Sequence, residues 1–295
     1  MQYNPNALNN LQILNPKEKE EFNSLVCYFD EFRNTKGLFE KLGFDFIYSS
    51  AQIEGNTYNK LDTLSLLEEG LTAGGKRYSD AKMILNLKKA FDFILNNDLK
   101  LSLETCLELH SILSDELVLK SNQGTMRKYN LSGITGTSYL PLSTGDRLYT
   151  EMKFVFTQAN KIRDPFEQAI FLHNNLCYLQ YFEDCNKRTA RCMQFIALKN
   201  HNIMPLVILE DNKDCYRQYR GAMIEYYETN DYAPYIEFFK ENYAKMHDFL
   251  QEVRELNLKQ ENTHSNSYDN NTDDLGNNDY LENTNEYTVT PKHRR

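Results

Sequence analysis

Apolar residues recur at helical spacing through most of this chain. Phe22, Leu25, Val26, Phe29 and Phe32 follow Pro16 on one face, which predicts a helix over 17–34. Leu38, Phe39, Leu42, Phe46 and Ile47 predict a second over 35–54, with Gly55 as its stop. Ser79 is placed to cap a helix carrying Ile84, Leu85, Leu87, Ala90, Phe91, Phe93 and Ile94. Ser102 and Thr105 open another, running to about Leu117. Pro165 suits the first turn of a helix ending at Leu179. Helix resumes from Arg188 to Asn200, and Asp211 and Asp231 start the last two. Only residues 129–142 break the pattern: β-prone, and punctuated by Gly133 and Gly136, they read as a short hairpin or flap. The expected fold is therefore mainly α, with one short β-hairpin and no internal repeat.

The period stops at about residue 256. From Glu261 to Thr290 there are eight Asn, seven acidic residues and no Lys or Arg. Such a segment buries too little apolar surface to offset the entropy of ordering, so 257–295 is expected to be a disordered acidic tail with a short basic end, Pro291–Arg295. The whole chain of 295 residues carries −9, which argues against a general nucleic-acid or anionic-membrane binder. No apolar run approaches the ~20 residues a membrane span needs, and no signal peptide is recognisable at the start. Six cysteines, without a CxxC pair or zinc-like spacing, read as reduced thiols in a cytoplasmic protein.

Candidate chemistry concentrates at 182–191, Phe-Glu-Asp-Cys-Asn-Lys-Arg-Thr-Ala-Arg. One helix ends near Leu179 and another begins near Lys187, so unpaired N–H groups and a partial positive charge face the loop. That is an anion site in outline. Lys187, Arg188 and Arg191 add cationic donors within a turn, and Asp184 is an oxygen ligand suited to Mg²⁺ beside phosphates. Local chemistry alone is equally satisfied by a polar helix start with solvated charges.

The same stretch resembles the signature of the Fic/Doc family, His-x-Phe-x-Asp/Glu-Gly-Asn-Gly-Arg-x-x-Arg. Phe182 matches the anchoring Phe, Asp184 the metal-binding acid, Asn186 the phosphate-holding Asn, and Arg188 and Arg191 the two phosphate-contacting arginines. Asn186-Lys187-Arg188-Thr189-Ala190 is closer to the Doc branch. Leu109-His110 with Gly124–Arg127 resembles the stretch before the family's flap, and Ile134–Leu142 resembles the flap that clamps a target segment by β-augmentation. His173, seven residues before Gln180, sits where the family often has a His; from the residues alone it reads as a helix-packing histidine. Ser50-Ala-Gln-Ile-Glu54-Gly55-Asn56 resembles the family's inhibitory pattern, Ser/Thr-x-x-x-Glu-Gly/Asn. The resemblance covers about 44–202 and pairs Glu54 with Arg191, bidentately by the chemistry of the two groups. It implies a Fic-type helical bundle in three parts: 1–60 with the inhibitory motif (Ser50, Glu54, Gly55), a core over 61–256, and the tail. It also implies ATP or ADP with Mg²⁺ as ligands, a protein target docked on the flap, and autoinhibition; a homo-oligomer stays open.

The signature is broken at three places. Gln180 stands where the family keeps its general-base histidine, with Tyr181 after it, and Cys185 and Lys187 replace two glycines. A carboxamide does not ionise near neutrality, and loss of a general base costs roughly 10²–10⁴ in rate. The sequence thus points to a relative of protein adenylyltransferases (nucleotidyltransferases that AMPylate a hydroxyl) that binds nucleotide with impaired transfer. Two alternatives stand beside it: an active AMP-transferase or Doc-like kinase with an atypical base, and a non-enzymatic interaction module. Cys185, at a helix N-terminus beside Lys187, is further expected to have a lowered pKa if the helix end dominates its surroundings.

Overall fold

A computed structural model describes residues 2–209 and 213–269, with side chains to Lys259. The described residues divide into two units, one ending at Gln251 and the other beginning at Glu252. Eleven α-helices are found among the described residues: α1 (Pro16–Ser24), α2 (Phe29–Phe32), α3 (Leu38–Ile53), α4 (Lys60–Glu69), α5 (Tyr78–Asn96), α6 (Leu103–Leu113), α7 (Asp146–Ala159), α8 (Pro165–Leu179), α9 (Asn186–Asn200), α10 (Lys213–Thr229) and α11 (Ala233–Asp269). None is long and apolar enough to cross a membrane.

The first unit is built around the hairpin of α8 and α9. Every residue of α8 from Phe166 to Leu179 is buried, as is nearly all of α9 from Asn186 to Leu198. Helices buried all round belong at the centre of a bundle. Here α7 and α10 pack on α8, α6 packs on α9, and α5 touches both α3 and α9. Asp164 caps α8, its Oδ1 accepting from the Phe166 and Glu167 amides at 3.0 and 2.9 Å, with Pro165 in the first turn. Phe46, Phe91 and Phe195 form a three-ring cluster joining α3, α5 and α9. A Cβ at Gly43 would lie 2.7 Å from the Phe91 ring, so the glycine lets α3 lie this close to α5 and fixes where its C-terminal end arrives.

Several expected elements take a different form. The helix expected over 17–34 is split into α1 and α2. Between them the Cys27 carbonyl accepts from the Met204 amide, the Phe29 amide donates to the Asn202 carbonyl, and Tyr28 pairs with Ile203. Long-range backbone pairing there overrides local helical period. Arg77, not Ser79, precedes α5, and α6 stops at Leu113 rather than near Leu117. Helices α4 and α7 add to the elements expected from the apolar pattern. Asp231 does accept from the Ala233 amide at the start of α11. That helix continues past 256 to Asp269, so the first part of the expected tail is helical; 270–295, with the basic end, lie outside the described residues, as does Asp211.

The hairpin expected at 129–142 has no strand ladder among the described residues; Leu140 forms a lone parallel bridge to Gln2. Side chains hold this backbone instead. Arg127 donates to the Tyr129 and Leu142 carbonyls, and Glu228 accepts from the Ser138 amide at 2.8 Å. Buried Tyr139 stacks on Tyr178 and donates to its carbonyl at 2.8 Å. These side-chain contacts, several from residues remote in sequence, stand where a strand ladder was expected.

Candidate active site at the α8–α9 junction

Two residues in left-handed conformation shape the junction: Gln180 (φ 47°) ends α8 and Cys185 (φ 60°) precedes α9. Between them the loop is tied to the core at Phe182, whose ring stacks on His110 with centroids 3.7 Å apart. Asn186 closes the loop on itself, its side chain accepting from the Phe182 amide at 2.9 Å and donating to the Phe182 carbonyl at 3.0 Å. His110 accepts from the Gly124 amide through Nδ1 at 2.8 Å, so its Nε2 carries the proton and donates to the Asp184 carbonyl at 3.2 Å. Burial holds this imidazole neutral, its pKa lowered to about 4. Arg127 braces the other side, donating to the Gln180 carbonyl from Nε and to the Tyr181 carbonyl from its amide. The part played by Arg127 and His110 in holding the loop was not legible from the motif.

The side chain of Gln180 faces inward. Its Nε2 donates to the Cys177 carbonyl at 2.7 Å, and its Oε1 accepts from Asn186 Nδ2 at 3.3 Å. Both ends of the carboxamide are thus engaged in joining α8 to α9. Cys185 is buried, its thiol 3.7 Å from the Leu113 carbonyl, and burial pushes its pKa up to about 12. The lowered pKa that a helix N-terminus suggests does not arise, because desolvation outweighs Arg188.

Three cations leave the first turns of α9, and they are unequally partnered. Arg188 is 3% exposed, yet only Nη2 is bonded, to Asp184 at 3.1 Å; Nε and Nη1 are buried without a hydrogen-bond partner. The α9 N-terminus also lacks a side-chain cap. Unmet buried donors beside an uncapped helix N-terminus make a receptor for an anion.

All three side-chain nitrogens of Arg191 are bonded. Nε donates to Ser50 Oγ, Nη2 to the Ser50 carbonyl and to Glu54 Oε1 at 2.9 Å, and Nη1 to Tyr219 Oη at 3.1 Å. Burial opposes its charge, but Tyr219 and Glu54 outweigh burial and raise its pKa. Burial likewise pushes Glu54 upward, but Arg191, Lys187 and Arg188 prevail and hold it at about 2. The carboxylate is not bidentate on Arg191: its second oxygen, Oε2, lies 3.2 Å from Lys187 Nζ. Gly55 follows at φ 82°, ending α3 and placing Glu54 at the mouth of the site.

Behind Arg191 stands His173. Its Nδ1 lies 3.0 Å from Asn174 Oδ1 and its Nε2 2.9 Å from Tyr219 Oη. The amide oxygen can only accept, so Nδ1 is protonated and the tyrosine donates to Nε2, which leaves its lone pairs for Arg191. Burial lowers the His173 pKa to about 3. This histidine packs and orients; its hydrogen bonds are spent inside the bundle. Asp184 lies at the surface, its Oδ1 accepting from Arg188 and from the Cys185 amide at 2.5 Å. Among the described residues, no three His, Cys, Asp or Glu side chains gather as a metal site.

Residues 100–198 match the model of the Fic/DOC family. Curated relatives are named protein adenylyltransferase Fic. The one from Nematostella vectensis is 24% identical over 253 residues, covering 79% of this chain and 57% of the relative. The one from Culex quinquefasciatus is 24% identical over 200 residues, covering 65% of this chain and 38% of the relative. The chain thus spans little more than half the length of the first and well under half of the second. Among solved structures, Fic-1 (residues 134–508) from C. elegans superposes with a TM-score of 0.63 at 18% identity, covering 85% of this chain and 73% of that one. A Fic family protein from Desulfovibrio desulfuricans gives 0.67 at 18%, covering 84% and 75%. At that identity the likeness concerns the fold.

Proposed function

The chain carries a Fic/DOC family domain at residues 100–198, and from that premise we propose that it binds an adenine nucleotide at the α9 N-terminus, is held closed by Glu54, and transfers AMP poorly or not at all. The observation that carries the reading is Arg188, a buried guanidinium with two unmet donors. A buried charge without partners is costly unless a ligand completes it. Phosphate oxygens fit a planar fork of this kind.

The residues fit the expected ligands as follows. Arg188 and the α9 amides form the part open to phosphate, while Asn186, expected from the motif to hold phosphate, has its carboxamide engaged by Phe182 and Gln180 and shapes the loop instead. Arg191 and Lys187 are shielded by Glu54, so a longer phosphate chain has to displace that carboxylate. Mg²⁺ would be held by Asp184 with the nucleotide's own oxygens and would offset phosphate charge. The relatives' name, protein adenylyltransferase, supports AMP transfer to a protein as the reaction class, with 129–142 as the docking segment for the target.

Catalysis is the weakened part. The carboxamide of Gln180 is already engaged at both ends and is not basic near neutrality, so it can orient a hydroxyl but does not take its proton. Positioning and charge stabilisation survive such a loss, general-base catalysis does not, and the deficit is roughly 10²–10⁴ in rate.

Two measurements test this. Calorimetry with ADP and Mg²⁺ is expected to give binding by the wild type and none by Arg188→Ala; equal binding by both would remove Arg188 from the site. AMP incorporation from labelled ATP is expected only when Glu54→Gly is combined with Gln180→His. Strong labelling by Glu54→Gly alone would show that Gln180 is no obstacle.

A further inference from the structure

Glu54 is shared between two cations of α9, and the two hold it on different terms. Arg191 gives it one Nη2 contact at 2.9 Å and has three other acceptors, Ser50 Oγ, the Ser50 carbonyl and Tyr219 Oη. Its guanidinium stays hydrogen-bonded when the carboxylate leaves. Lys187 takes the other oxygen at 3.2 Å from the second residue of α9, four before Arg191 and so on the same face. It is 32% exposed, a rotatable ammonium at the mouth rather than a fixed fork in the interior.

We infer that Lys187 is a second latch on Glu54, one that exchanges the carboxylate for an incoming phosphate. The inference rests on the nucleotide-site reading above for its second half, while the latch itself needs no nucleotide. With Glu54 seated, Lys187 holds the carboxylate over Arg191 and closes the site. With Glu54 gone, the same ammonium stands beside the α9 N-terminus and draws an anion already gripped by Arg188. Removing Lys187 therefore has opposite consequences in the two situations. A bystander on the helix surface has none, and a plain phosphate ligand has the same sign in both.

The latch also has a readout in the free protein. The Glu54, Gly55 and Asn56 amides donate to the Ala51 and Gln52 carbonyls at 2.9–3.1 Å, in the turn that carries the carboxylate. Their hydrogen exchange reports how often that turn opens.

The experiment uses the full chain as wild type, Lys187→Ala, Lys187→Arg, Glu54→Gly and the double variant Glu54→Gly with Lys187→Ala. Without nucleotide, Lys187→Ala is expected to speed amide exchange of 54–56 roughly two- to fivefold, the scale of a partly exposed ion pair, and Lys187→Arg to restore protection. By calorimetry with ATP and Mg²⁺, Lys187→Ala is expected to tighten binding by a similar factor when Glu54 is present and to weaken it when Glu54 is Gly. Unchanged exchange together with weaker ATP binding in both backgrounds overturns the latch and leaves Lys187 a phosphate ligand. Unchanged exchange with unchanged binding overturns it outright. If none of the proteins binds ATP or ADP, the nucleotide-site reading and the exchange of carboxylate for phosphate fall together, and faster amide exchange in Lys187→Ala alone upholds the latch.

Discussion

Arg188 and Arg191 lie three residues apart on one helix, both buried, and their surroundings are opposites. Arg191 meets a carboxylate, a serine hydroxyl, a carbonyl and a phenol. Arg188 has one carboxylate contact and two idle donors. The contrast teaches that a signature of residue types does not describe the state of a site. The two arginines of the motif look equivalent in sequence, yet in this conformation one is spent on partners within the fold and the other keeps two idle donor nitrogens.

The comparison can be broken in several ways. The largest effect is expected from Arg191→Met, which strands Glu54, Ser50 and Tyr219 together; loss of a partner from a buried ion pair costs about 3–5 kcal/mol. Denaturant unfolding measures it, and a loss below about 1 kcal/mol would make Arg191 as idle as Arg188. Acid comes next, because an imidazole backs each side: His173 behind Arg191 through Tyr219, His110 behind the Asp184 carbonyl. Both are held neutral, with pKa lowered to about 3 and about 4. Below an unfolded pKa of about 6.5 the unfolded chain binds the proton and the folded chain does not, so stability falls as pH falls. Between pH 6.5 and 5 each is expected to remove roughly 2 kcal/mol, and His173→Gln and His110→Gln should each flatten that slope.

Glu54→Gln is expected to cost about 1–2 kcal/mol at pH 7, since Arg191 keeps its neutral acceptors. The carboxylate pKa is depressed to about 2, so its contribution is fully present above about pH 4.5 and is lost as pH falls through 2. An acid titration of Glu54→Gln should lack that last loss. The least destabilising is Arg188→Met: removing a costly buried charge with idle donors is expected to leave stability unchanged or to raise it by about 1 kcal/mol. Equal destabilisation by the two Arg→Met changes would dissolve the distinction between them.

Much of this was legible in the chain. Pro165 marked the start of α8, the loop residues named the junction, and the resemblance of Ser50–Asn56 to the inhibitory pattern implied a carboxylate against Arg191, 137 residues away, where the contact is found. What escaped depended on long-range choice. Any of 20 tyrosines could have faced Arg191, and nothing local selects Tyr219. The split between α1 and α2 comes from pairing with 202–204, remote in sequence. The carboxylate's second oxygen on Lys187 follows from where the turn at Gly55 delivers it. Helices α4 and α7 did leave local signals: a capping box between Asn59 and Asp62, and apolar residues at 148, 152, 155, 156 and 159.

The left-handed backbone at Gln180 has a consequence for the history of such a site. Histidine tolerates φ near 47° better than most side chains do, so a histidine at 180 asks for no new backbone path. Glutamine and histidine codons differ by a single base. On the proposed reading, the phosphate receptor, the inhibitory carboxylate and the fold are all retained around that one position. A lineage carrying this scaffold is then one point mutation away from recovering a proton acceptor, and Glu54 stands guard over the result before it arises.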